Sequence, residues 1–245
     1  MKKNLFIIAG LLVVAQANTQ SLYNNATTAG LTLEGLRTGP RTAGGDYSEV
    51  QLGNNTAGST VIGSLGFRLG DDFTFSGNNW NVNSISVWAY QTGATTATYN
   101  GGNMEIRAGS ATGAVVATGT WSSNSFTDIF RIFNATPGDT RRLQKNVFTF
   151  NTQISAGTYW ITYDLQNPAA SGFNPFLTKV GSTTVAGANA MQSNAGNWLG
   201  ITDTLSLAPQ DLPFWIDGTV VPEPVSMIAF AAGLAAIARR RKKSA

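Results

Sequence analysis

The chain has 245 residues, of which 42% are hydrophobic and only 12% charged, and it contains neither cysteine nor histidine. Disulfides, Ser-His-Asp and Cys-His catalytic systems, histidine-ligated zinc, haem and iron–sulfur clusters therefore lack their usual residues, and no cofactor is expected. Seven of the 16 bases stand in the first three and last seven residues, so residues 18–221 keep nine bases against 12 acids. This mildly acidic body argues against a nucleic-acid partner.

The N-terminus has the order of a secretory signal peptide. Lys2 and Lys3 precede an apolar stretch at residues 5–14, and Ala15 and Ala17 fit the small-x-small cleavage rule. We predict cleavage after Ala17, with Sec-type export machinery and signal peptidase as partners. The signal peptide is then residues 1–17, and residues 18–220 form a single domain, because the body has no strong interior linker.

The body alternates with a period of two residues, which is typical of half-buried strands. The clearest segments are residues 83–90, where Ile85, Val87 and Ala89 share one face, and residues 158–165. Further short runs are predicted at residues 31–37, 61–69, 71–75, 103–108, 114–119, 126–133, 146–151 and 213–219.

Turn-forming residues separate these runs. Clusters of Gly, Asn, Ser, Thr, Pro and Asp stand at residues 53–55, 76–79, 100–103 and 136–139, and residues 181–196 have the composition of a long surface loop. Before the C-terminal tail no stretch has the pattern of an amphipathic helix. We therefore predict an all-β fold, an antiparallel β-sandwich of the jelly-roll type.

Carboxylates are the main groups left for catalysis or metal binding. Asp71 and Asp72 are adjacent, so they would share a calcium ion if they lay in a turn after Gly70. If both lie in a strand, their side chains point to opposite faces. We expect solubilising residues rather than a metal site, because no spaced acidic loop is present.

Aromatic residues offer a second candidate site. If Ile85 and Val87 face the core, then Trp88 and Tyr90 face the other way, and Trp160 stands in the same relation to its strand. Exposed rings of this kind would stack on sugars. The alternative is that both faces of these strands are covered, because large aromatic side chains are usually mostly buried.

The last 25 residues combine three features in a fixed order. Val221, Pro222, Glu223 and Pro224 form an extended segment, because the prolines fix φ and disfavour α conformation in the preceding residue. Residues 225–238 carry no charge, and as a helix they would span ~21 Å of a ~30 Å hydrocarbon core. Five consecutive bases follow and predict a cytoplasmic end: Arg239, Arg240, Arg241, Lys242 and Lys243.

This ending resembles the PEP-CTERM sorting signal of exported bacterial proteins. In that resemblance residues 221–224 are the motif, residues 225–238 a short transmembrane helix and residues 239–243 the basic stop. The resemblance covers residues 221–245 only, and the family of the body is not recognised. It implies recognition by an exosortase, an integral-membrane processing enzyme, after transient anchoring in the inner membrane. The body would then reach the cell surface or the extracellular space.

Three classes of function remain open. We favour a non-enzymatic exported surface or matrix protein associated with extracellular polysaccharide. A carboxylate-dependent glycan hydrolase or lyase would instead need two acids opposed in one cleft, ~5 to 10 Å apart. A structural or adhesive module with a protein partner would show an unpaired edge strand or a large apolar patch.

Overall fold

A computed structural model of the chain describes residues 19–25, 39–50, 53–132, 140–175 and 189–222. Within these ranges the regular structure consists of β-strands and one turn of 3-10 helix at Gly63–Leu65. The strands are β1 (Gln20–Asn24), β2 (Gly39–Pro40), β3 (Asp46–Glu49), β4 (Ser59–Thr60), β5 (Phe67–Phe75), β6 (Trp80–Ala89), β7 (Gly101–Ala108), β8 (Val115–Ile132), β9 (Arg142–Ile154), β10 (Gly157–Gln166), β11 (Phe173–Asn174), β12 (Met191–Asn194), β13 (Asn197–Gly200) and β14 (Phe214–Val220). The all-β class predicted from the two-residue period is confirmed.

The segments with the clearest alternation form β6 and β10. Ile85, Val87 and Ala89 lie in the main hydrophobic core, whereas Trp88 on the opposite face belongs to a second cluster. The turn predicted at residues 76–79 separates β5 from β6. The run predicted at residues 31–37 and the turn predicted at residues 136–139 lie outside the described residues.

Two local predictions are wrong for identifiable reasons. The glycines at residues 101 and 102 do not form a turn but begin β7, where a Cβ on Gly102 would lie 2.9 Å from the ring of Phe148. Glycine stands there because two pieces of chain approach closely. Part of the expected loop at residues 181–196 is also regular, since β12 pairs with β5.

Most strands belong to one sheet. Its order is β1-β14-β6-β9-β8-β7-β10-β5-β12-β13, and β2 and β3 join it through β8. All of these pairings are antiparallel except that of β3 with β8. β4 and β11 form a separate antiparallel pair.

The 18-residue strand β8 joins the two halves of the sheet. Its beginning pairs with β7 as far as Thr120, and from Thr120 onward it pairs with β9. Register shifts near Ser123 and after Phe126 interrupt the second pairing, and such irregularities bend a strand. The runs predicted separately at residues 114–119 and 126–133 are therefore parts of one bent strand.

The two halves face each other across the main core. The ring centroid of Phe73 on β5 lies 6.3 Å from that of Trp80 on β6 and 6.2 Å from that of Phe214 on β14. Full burial of one such side chain contributes about 1.5–3 kcal/mol, and the chain has no cysteine, so this packing is the main source of stability. Because the halves belong to one continuous sheet, the predicted two-sheet jelly roll is not confirmed.

Candidate functional site

The predicted processing motif begins where the last strand of the sheet ends. The backbone N–H of Val221, directly after β14, donates to the carbonyl oxygen of Asn79 over 2.8 Å. Pro222 follows and is exposed; having no N–H, it cannot extend the strand pairing. The described chain stops there, at the surface of the fold, so Glu223 and Pro224 lie outside the described residues.

The other export elements also fall outside the described residues. This applies to Ala15 and Ala17 at the signal-peptide site, to the apolar segment at residues 225–238 and to the bases at residues 239–243. The described residues include no helix of the length and apolarity needed to span a membrane.

The candidate sugar-stacking residues are buried. Relative exposure is 0% for Trp88, 3% for Tyr90 and 9% for Trp160. Trp88 and Tyr90 pack with Ile129 and Leu143 in the second hydrophobic cluster. Of the two alternatives left open by the alternation, the structure has the one in which both faces are covered, so the idea of an exposed stacking face at these residues is corrected.

Asp71 and Asp72 both lie in β5 rather than in a turn. Asp71 points inward and is 1% exposed, while Asp72 on the opposite face is half-buried. Their side chains therefore diverge, and the shared calcium site considered for them is not formed. No cluster of three or more acidic residues able to hold a metal occurs within the described ranges.

Asp71 instead lies against a carboxyl group that is distant in sequence, Asp211. Its two oxygens accept backbone N–H groups, Oδ1 from Asp72 and Oδ2 from Leu212, both over 2.8 Å. Burial raises the pKa of Asp71 well above its usual range, and the neighbouring Asp211 raises it further. Burial also raises the pKa of Asp211. Two neighbouring carboxyl groups retain a proton more strongly than an isolated one does, because both cannot ionise cheaply.

A charged network covers the outer face of β5, β7 and β10. Glu105 Oε2 accepts from Arg107 Nη2 over 2.6 Å and from Arg68 Nη2 over 3.1 Å, and Arg68 Nε lies 3.5 Å from Asp164 Oδ2. The buried Thr162 hydroxyl accepts from Arg68 Nη2 and Arg107 Nε and donates to Glu105 Oε2, each over 3.3 Å. Burial alone would raise the pKa of Glu105, but the two arginines outweigh it and lower that pKa. The carboxylates of Glu105 and Asp164 therefore have their ion-pair and hydrogen-bond partners within the protein.

A cleft of about 500 Å³ lies beside the β12–β13 hairpin. The hairpin forms one wall, and the segment containing Thr56 and Ser59 contributes to the other. The hairpin turn is Ala195–Gly196, with φ of 50° and 94°, which is the two-residue turn that suits the twist of paired strands. Sequence reasoning missed this site. The local sequence feature that indicates the hairpin is the turn-forming stretch Asn-Ala-Gly-Asn at residues 194–197.

Asp203 holds the two walls of this cleft together. It is fully buried. Its Oδ2 accepts the backbone N–H groups of Asn55 and Thr56, at 2.9 and 2.7 Å, and its Oδ1 accepts those of Leu205 and Ser206, both at 2.8 Å. Burial alone would raise the pKa of Asp203, but the four backbone donors outweigh it and lower that pKa to about 2. Asp203 is therefore a fixed anion that orders the cleft.

A second cleft, of about 450 Å³, shares Thr56 and Thr204 with the first. It differs in carrying a cation, Arg141, and an aromatic side, Tyr90 with Phe173. Neither cleft has an acidic residue among its described lining residues. The opposed carboxylates that a glycan hydrolase needs do not occur in these two clefts.

Comparison with known proteins identifies the tail and leaves the body unassigned. A family model described as the PEP-CTERM protein-sorting motif matches residues 220–242. No curated protein matches the chain. The match begins at the last residue of β14 and includes Val221 and Pro222, so the sorting motif follows the folded body without a spacer. The chain carries a PEP-CTERM protein-sorting motif at its C-terminus.

Proposed function

We propose that this chain is an exported, non-enzymatic protein whose body is released at the cell surface by exosortase processing and associates there with extracellular polysaccharide. The observation that carries the proposal is the sorting motif, matched at residues 220–242 and beginning at an exposed end of the fold. Sec-type machinery and signal peptidase handle the N-terminus, and the five bases at residues 239–243 stay on the cytoplasmic side.

The junction between body and tail supports removal of the tail. The last backbone hydrogen bond of the described chain to the sheet runs from Val221 to Asn79, and β14 pairs with β6 along its whole length and with β1 over residues 215–218. Cleavage beyond Pro222 removes no residue of β14 from the sheet. The body is therefore suited to exist without its tail.

The partners of three described acids, Glu105, Asp164 and Asp203, support a binding role rather than a catalytic one. Glu105 and Asp164 are bonded to arginines and to Asn103, and Asp203 is bonded to backbone N–H groups. Acids that serve as general acid and base face a substrate cleft. Neutral hydroxyl and amide side chains dominate the first cleft instead, and these groups suit sugar hydroxyls.

A second candidate function, an adhesive module with a protein partner, is favoured by the apolar surface near β13. Leu199, Leu205 and Leu207 are 72%, 64% and 71% exposed, and β13 is the terminal strand of the sheet order. A strand at the end of a sheet offers unpaired backbone groups. A protein partner would require all three leucines, whereas a cleft ligand requires Leu199 alone, because only Leu199 lines the cleft.

Replacing the acid of the motif tests the proposed export route. In the organism that makes the protein, we expect Glu223→Ala to accumulate at full length in the inner membrane while the unchanged chain reaches the surface or medium. Glu49→Ala, a half-buried acid of the body, is the control and should be released normally. Equal release of the Glu223→Ala variant and the unchanged chain would overturn the proposal.

A further inference from the structure

We propose that the cleft beside the β12–β13 hairpin binds an uncharged oligosaccharide segment, which would be the contact through which the body associates with polysaccharide. This inference rests on the proposed function and adds to it a site and a ligand class. It replaces the stacking face considered for Trp88 and Trp160, which are buried.

The first observation is the absence of charge. The described lining residues carry hydroxyl, amide or apolar side chains, or none, and not one is charged. Asp203 lies behind the wall, and its carboxylate is already bonded to four backbone N–H groups. An acidic polysaccharide or a phosphorylated ligand would find no cation among these lining residues. The arrangement selects a neutral ligand.

The second observation is free hydrogen-bonding capacity. In the described part of the chain, the side chains of Ser59, Asn194, Asn197 and Thr202 make no hydrogen bond, and none is buried. Gln192 donates through Nε2 to the Thr60 carbonyl over 2.7 Å, which leaves its Oε1 free. An amide offers a donor and an acceptor side by side. Adjacent sugar hydroxyls present the same pair in reverse.

The third observation is that the hairpin places these groups on one face. Gln192 is directly opposite Leu199 in the pairing of β12 with β13, and Asn194 is opposite Asn197. Residues paired directly across two strands, and residues two apart in one strand, point to the same side. Three amides and one leucine therefore line a single wall.

Leu199 supplies an apolar platform within this polar wall. It is 72% exposed, and Phe67, half-buried, also lines the cleft. A sugar ring has polar edges and a less polar C–H face, so a mixed wall of amides and one aliphatic side chain is complementary to it. A peptide or lipid ligand would need a more continuous apolar surface. The cleft volume is within the range of small-ligand sites.

The walls are also ordered before any ligand arrives. Asp203 fixes the backbone at Asn55 and Thr56, and the Thr56 hydroxyl lies 3.0 Å from that of Thr204 on the facing segment. The two-residue turn of the hairpin leaves little freedom at the other wall. Less ordering on binding means that weak hydrogen bonds to hydroxyls give more net affinity.

Affinity electrophoresis of the protein purified from its own cells tests the proposal. The gels contain dextran, galactomannan or xyloglucan as neutral probes and alginate as an acidic probe. We expect retardation by at least one neutral probe and none by alginate. Leu199→Ala and Asn194→Ala should each weaken that binding by about tenfold, the equivalent of one good contact.

Matched variants outside the cleft control for general surface effects. Leu205→Ala removes a comparably exposed leucine, and Asn100→Ala removes an exposed asparagine that precedes β7 and lines neither cleft. Both should bind like the unchanged protein. Retardation by no neutral probe, retardation by alginate alone, or equal weakening in the control variants would each overturn the cleft proposal.

The two proposals fail separately. Absence of sugar binding by a protein whose tail is removed normally overturns the cleft assignment and leaves the export route in place. Full-length protein held in the membrane overturns the export route, while sugar binding by the same preparation still reports on the cleft.

Discussion

Asp203 and Asp71 are the two most deeply buried aspartates of the described chain, and the fold treats them in opposite ways. Asp203 receives four backbone N–H groups from two segments, and its pKa falls to about 2. Asp71 receives two backbone N–H groups but lies against Asp211, and its pKa is raised by burial and by that neighbour.

The difference shows that the surrounding donors, not burial alone, decide the charge of a buried carboxyl group. With four donors and no acidic neighbour, the anion is stable and holds two segments of chain together. With two donors and a second carboxyl group, the site retains a proton. The first arrangement orders the cleft. The second lies in the core, where Asp71 of β5 meets the segment that precedes β14.

The largest effect is expected from Asp203→Asn. The amide has one acceptor atom in place of two and brings two donors that face other donors, so backbone N–H groups of the cleft wall lose their partners. We expect the free energy of unfolding to fall by about 3 kcal/mol, measured by denaturant unfolding at pH 7. The control Asp72→Asn, on the outer face of β5, should change it by less than about 0.5 kcal/mol. Similar small losses in both variants would contradict the role given to Asp203.

The stability contributions of Asp203 and of the Asp71–Asp211 pair depend on pH in opposite directions, and acid titration tests the first of them. Because the folded pKa of Asp203 is about 2 and its unfolded value is about 3.9, its contribution is present above the unfolded pKa and is lost as the pH falls through about 2. That contribution is about 2.6 kcal/mol in full, of which about 2 kcal/mol is lost between pH 5 and pH 2. We expect the unchanged protein to lose this much more stability than Asp203→Asn between pH 5 and pH 2. Parallel curves for the two proteins would contradict the depressed pKa.

Asp211→Asn is expected to stabilise the fold at alkaline pH. A raised folded pKa means that the contribution of the Asp71–Asp211 pair is present at low pH and is lost as the pH rises through the folded pKa. An amide at position 211 donates to Asp71 at any pH. We expect a gain of about 1 kcal/mol at pH 8 that shrinks or reverses at pH 4. An equal gain at both pH values would show that the pair does not retain a proton.

The smallest effect concerns the hairpin that forms the cleft wall. Ala195 has a φ of 50° and Gly196 a φ of 94°, a geometry that asparagine and glycine adopt more readily than alanine. We expect Ala195→Asn to stabilise the protein by about 0.5 kcal/mol, or about 1–2 °C in Tm. Gly196→Ala should have the opposite sign. Stabilisation by both changes would mean that the turn differs from the one described.

Local periodicity predicted the strands well and their environment poorly. Alternation at residues 83–90 indicated which side chains share a face, and β6 has that arrangement. Whether the Trp88 face is covered depends on Ile129 and Leu143, which come from strands distant in sequence. The same limit explains the jelly-roll prediction, because the pairing of the long strand β8 with both β7 and β9 depends on the whole sheet and not on any short window of sequence.

The buried carboxyl sites could not be predicted for the same reason. Asp203 meets Asn55 across 148 residues of sequence, and Asp71 meets Leu212 across 141. No spacing rule connects such residues. The tail is the reverse case. Its motif, apolar segment and bases are contiguous in residues 221–243, so the sequence alone was sufficient to recognise the sorting signal that the family model matches.

Intact-mass measurement of the protein recovered from the surface or medium of its own cells tests the export route most directly. We expect a species that begins at Asn18 and lacks residues 225–245, with any added mass at its new C-terminus marking what the processing enzyme attached. A recovered species whose mass corresponds to residues 18–245 would contradict removal of the tail.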